Sequence, residues 1–70
     1  MNSHTDRENE MDYKRSAGTE VRVNGKSATI LVEWFNWEAE VIVETTSGRT
    51  LRVHPVKVYE LDGNHLPYAA

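Results

Sequence analysis

A chain of 70 residues with no cysteine can bury one modest core and cannot close it with disulfides. Its net charge of −3, eleven acids against eight bases, lacks the basic excess that phosphate neutralisation asks of a duplex-binding protein. No apolar run approaches the roughly 18 residues of a membrane span and the polar first ten residues hold no signal-peptide core. The lack of cysteine fits a reducing compartment, so a cytoplasmic location is expected.

Residues 1–17 offer only Met1, Met11, Tyr13 and Ala17 as apolar groups, too few to offset the entropy of ordering them, and read as a disordered N-terminal arm. From Gly18 the hydropathy turns to period two: Val21 and Val23, then Ala28, Ile30, Val32 and Trp34, then Ala39, Val41 and Val43, then Leu51 and Val53. This alternation predicts strands. Asn24-Gly25 is the preferred pair for a two-residue hairpin turn, and Thr46-Ser47-Gly48 suits a three-residue turn.

Register follows from placing apolar residues opposite one another. Across the turn at 46–48, Val43 meets Leu51 and Val41 meets Val53, with Ile42 beside Arg52 and Glu40 beside His54 on the other face. Across a turn at Phe35–Glu38, Ile30 meets Val43, Val32 meets Val41 and Trp34 meets Ala39, which sets Glu33 against Glu40. Then His54-Pro55-Val56-Lys57 predicts a short 3₁₀ turn, and Val58–Leu61 a closing strand. The domain plan is an arm over 1–17, a five-stranded barrel over 18–62 and a C-terminal tail over 63–70.

This order of hairpins, 3₁₀ turn and closing strand, from Gly18 to Leu61, resembles the SH3-like small β-barrels, including the KOW and Tudor-type domains. An all-β, five-stranded barrel is therefore expected. A second resemblance rests on Trp34-Phe35, Val43-Glu44, Gly48 and Leu51-Arg52-Val53-His54-Pro55-Val56, which look like the plasmid-borne type II dihydrofolate reductases. That likeness implies four chains around a pore that binds folate and NADPH. The pore-lining glutamine, isoleucine and tyrosine of the family stand here as Arg52, Val53 and His54.

Leu31 and Ile42 fall on the outer face, where a solvated sheet would carry polar groups. Either the arm or Leu66-Pro67-Tyr68 folds over them, or they form a subunit interface. Phe35 and Trp37 flank Asn36 in a tight loop, and either one of them tucks beside Trp34 or they contact a ligand or partner; Tyr59 is a further candidate contact. The bases Arg22, Lys26, Arg49, Arg52 and Lys57 are candidate phosphate contacts. His4, His54 and His65 form no zinc spacing, and no serine has a histidine nearby by pattern. Neither a metal, a cofactor nor catalysis is expected.

The leading functional expectation is a non-catalytic interaction module, a homo-oligomer or a subunit of a larger assembly. It would use Leu31 and Ile42 for assembly and the Phe35/Trp37 loop for a ligand. A KOW- or Tudor-like nucleic-acid-binding barrel and a reductase-like protein are the alternatives.

Overall fold

The computed structural model describes residues 13–68. Seven strands occur there: β1 Lys14–Arg15, β2 Glu20–Val23, β3 Lys26–Ile30, β4 Trp34–Phe35, β5 Val41–Thr45, β6 Thr50–Val53 and β7 Val58–Tyr59, with a 3₁₀ turn at Pro55–Lys57 between the last two. Five of them form one antiparallel sheet in the order β6-β5-β3-β2-β7, and β1 pairs with β4 in a separate two-stranded ladder. The fold is all-β, with the large sheet curled around its apolar face.

Turn chemistry accounts for the hairpins. Asn24 and Gly25 both adopt positive φ, 56° and 77°, the conformation that matches the twist of the flanking strands and that this residue pair tolerates best. Val21 consequently faces Ala28, and Ile30 faces Val43 on the same inner side. The β5–β6 hairpin has the expected register, Val41 opposite Val53 and Val43 opposite Leu51. These inward residues, with Val23, Trp34, Val58 and Leu66, make the core.

The structure departs from the expected course in three places. First, the predicted second strand is broken. The Leu31 N–H still donates to the Ile42 carbonyl at 2.8 Å, but the chain then leaves the ladder, and Trp34 pairs with Arg15. Val32, expected to face Val41 in the core, is 54% exposed.

Second, the described part of the segment expected as a tail, residues 63–68, packs onto the sheet. A turn closed by Gly63 N–H to the Glu60 carbonyl reverses the chain, and Leu66 N–H then donates to the Val58 carbonyl at 2.8 Å. Leu66 is fully buried and Tyr68 packs against the core. Leu66, and not Val32, thus supplies an aliphatic core side chain.

Third, the arm expected over 1–17 does not stay apart along its whole length. Residues 1–12 lie outside the described part, but Lys14 and Arg15 form β1 opposite Phe35 and Trp34. A sheet this small gains from every residue that covers its open side.

The exchange of Val32 for Leu66 is measurable. Leu66→Ala should lower stability by about 2–5 kcal/mol, the cost of deleting a fully buried leucine side chain. Val32→Ala should stay within about 0.5 kcal/mol, as befits an exposed position. Urea unfolding of the two variants checks both, and a reversed order would show that Val32 belongs to the core.

Candidate functional site

Trp34 ends its inward course with a polar demand, because a buried indole N–H needs an acceptor. The Glu38 carbonyl meets it at 3.1 Å, and the Glu38 N–H in turn donates to the Phe35 carbonyl at 2.9 Å. Together these bonds draw residues 35–38 into a closed turn. The Asn36 N–H donates to the Tyr13 carbonyl, tying the turn to β1.

Within that turn Asn36 points inward and is 5% exposed, whereas Trp37 is 57% exposed. The two aromatic rings flanking Asn36 come together, with Phe35 and Trp37 stacked at 4.8 Å between centroids and 18° between planes. Lys14 Nζ lies 5.9 Å from the Phe35 ring centroid and 3.0 Å from a Glu33 carboxylate oxygen. Phe35 is half-buried beneath this ledge, and Trp37 stands out from it instead of tucking beside Trp34.

The outer face carries the second group of expected contact residues. Leu31 and Ile42 are neighbours through their backbone hydrogen bond, as the register predicts. Leu31 is 39% exposed and Ile42 is half-buried. A shallow depression of 530 Å³ adjoins them, lined by Glu38, Ala39, Glu40 and Ile42. Leu66 and Tyr68 do not fold over this face, because they pack against the core.

The predicted charge pairs on this face are replaced by others. Because β3 ends at Ile30, Glu33 does not confront Glu40. Glu33 pairs with Lys14 at 3.0 Å, and Glu40 stands 3.9 Å from Arg52. His54 does not partner Glu40, since its Nδ1 accepts the Val56 N–H at 3.0 Å and its ring meets Tyr68 edge-on at 4.9 Å.

The five candidate bases do not gather. Arg22 lies on the outer face opposite Tyr59 and Ser27, Lys57 closes the 3₁₀ turn, and Arg52 is committed to Glu40. Lys26 begins β3 and Arg49 ends the β5–β6 turn, at the far end of the β3–β5 ladder from Trp37. Tyr59 is exposed and stands 6.3 Å from the His65 ring, almost perpendicular to it. Lys26 and Arg49 therefore lie away from the Phe35–Trp37 pair, whereas Arg22 adjoins the exposed Tyr59.

Arg15 is the functional-looking residue that strand alternation did not single out. Its Nε donates to Glu60 at 2.5 Å, a second guanidinium nitrogen contacts the same carboxylate, and another hydrogen bond goes to the Tyr13 hydroxyl. Its guanidinium also lies 4.1 Å from the Tyr13 ring centroid. Partial burial works against its charge, but the bonds to Tyr13 and Glu60 and the carboxylate's field outweigh that and raise its pKa. An arginine pKa raised in the fold gives stabilisation that persists everywhere below its ordinary value, so this clamp holds across the physiological range. Among the described residues no group of three metal-ligating side chains converges.

Comparison with family models, with curated proteins and with solved structures gives no match.

The Arg15–Glu60 clamp should be structural in its effects. In a double-mutant cycle with Arg15→Met and Glu60→Gln, the coupling should be about 1.5–3 kcal/mol, the range for a hydrogen bond to a charged group. Thermal or urea unfolding at low and high salt measures it. A coupling near zero would mean that solvent screens the pair completely.

Proposed function

We propose that this chain is a small non-catalytic binding module with an SH3-like barrel topology, assembling through its outer face as a homo-oligomer or as one subunit of a larger complex. The observation that carries this reading is the apolar group of Leu31, Ile42 and Ala39, which no other described residue is seen to cover, together with the exposed Trp37 stacked on Phe35. Large aromatic and aliphatic groups left in water on so small a protein mark a contact surface. The charges around this apolar group, Glu38 and Glu40, suit a rim that selects partner and orientation.

A chain with a core of this size has reason to associate, because burying the outer face adds apolar contact that a protomer of this length cannot supply alone. Trp37 is suited to act as the anchor: it is rigidly stacked, held by a hydrogen-bonded turn, and loses little side-chain freedom on binding. A nucleic-acid role would draw instead on Arg22, Lys26, Arg49 and Lys57, none of which forms an ion pair among the described residues. Those bases lie away from the aromatic ledge, so stacking and phosphate contact would not reinforce one another.

Light scattering of the purified chain at low and high salt tests the reading. A mass that is a multiple of the protomer's, and that survives salt, is expected. Ile42→Asp should convert it to a monomer that remains folded, because the charge would be desolvated in the interface. An unchanged mass in that variant would exclude the outer face as the assembly surface. A tetramer that also binds NADPH would move the reading to the reductase-like alternative.

Trp37→Ala separates anchoring from folding. Its stability should fall by no more than about 1.5 kcal/mol, the loss of one partly exposed aromatic stack. Partner or self affinity should fall by about tenfold or more, the usual loss when an aromatic anchor is truncated. Equal affinity in a titration of the two proteins would remove Trp37 from the contact.

A further inference from the structure

The tips of the two hairpins stand side by side because Ala28 faces Thr45 across the β3–β5 ladder. Between them the inner face of the sheet opens into a cleft of 590 Å³, within the range of small-molecule sites. Its floor is apolar, from Val23, Ala28 and Leu51, and its walls carry Lys26, Arg49 and the hydroxyl residues of the 45–47 turn. Among the described residues no carboxylate lines it. Three other clefts are each lined by two: Glu60 and Asp62, Glu20 and Glu44, Glu38 and Glu40.

We propose that this cleft between the hairpin tips is a binding site for a small phosphate monoester carrying an apolar group. Lys26 and Arg49 make no ion pair among the described residues, so both charges are available to an incoming anion. A point-charge ammonium and a planar fork match a dianionic phosphate. The apolar floor provides for the ester group.

The walls are already set. The Thr45 hydroxyl accepts the Arg49 N–H at 3.1 Å and lies 2.9 Å from the Ser47 hydroxyl, while the Thr45 N–H donates to the Arg49 carbonyl at 2.8 Å. Asn24 and Gly25 hold the opposite tip in a tight turn. The backbone of both tips is therefore fixed before binding, and the ordering that binding costs falls on the Lys26 and Arg49 side chains. The site lies on the inner side of the sheet and is independent of the outer-face assembly.

Phenyl phosphate titrated into the full-length, isotope-labelled protein, followed by amide chemical shifts, tests the proposal. Saturating shifts at Asn24, Gly25, Ser47 and Gly48 are expected. Lys26→Gln and Arg49→Gln should each weaken binding by about tenfold, the loss of one charge-assisted contact, with the amide spectrum showing that the fold persists. Arg22→Gln with Lys57→Gln should leave binding unchanged. Absence of saturation at the tips, or equal loss in the Arg22/Lys57 variant, would overturn the site. Inorganic phosphate binding as tightly as phenyl phosphate would overturn the assignment of the apolar floor. None of these outcomes depends on the oligomeric mass, so this site and the assembly surface fail or stand separately.

Discussion

The Trp34 side chain is the largest fully buried one, 1% exposed, and it brings into the core an N–H that must find an acceptor. The Glu38 carbonyl, four residues on, provides it. That acceptor is reachable only if the chain turns back at once, so burying the indole imposes the 35–38 turn. Asn36 is thereby directed inward and Trp37 outward. The exposed ledge is thus a by-product of satisfying a buried polar group.

The same constraint explains the division into two ladders. With Trp34 held inside and the turn beginning just after it, the chain leaves the β3–β5 ladder after Leu31. The edge of β4 is taken up by β1, whose Arg15 reaches Glu60 just beyond β7. The first and last parts of the described chain are therefore clamped together across the sheet. Leu66 completes the closure from the C-terminal side, where the Tyr59–His65 bridge returns the chain to β7. A short chain without disulfides uses its flanking segments as the staple that larger domains find within their core.

Charge is sorted along the ladders. Glu38 and Glu40 line the depression beside Ile42, whereas Lys26 and Arg49 line the cleft between the hairpin tips, with Glu20 and Glu44 in a neighbouring cleft. A net charge of −3 conceals this polarity, because it averages an acid-rimmed apolar strip with a cationic mouth. Bulk charge therefore describes neither surface.

The amino-acid sequence alone determined the two hairpins and their register. Asn24-Gly25 and Thr46-Ser47-Gly48 specify turns by backbone conformation, and period-two alternation leaves one register that keeps Val21, Ile30, Val41 and Val43 together; both signals are local. It also marked Leu31, Ile42, Phe35 and Trp37 as apolar groups in unusual places. What only the tertiary structure decided was where alternation stops: Val32 fits the pattern as well as Ile30 does, and it is excluded because the Trp34 indole must reach Glu38. Arg15, Tyr13 and Leu66 were equally hidden, since their partners lie across the fold, and an ion pair between residues 15 and 60 leaves no periodic trace. The sequence offered Leu66-Pro67-Tyr68 as one segment to fold back over Leu31 and Ile42; that Leu66 enters the core instead is decided by its backbone bond to Val58, a contact across the fold.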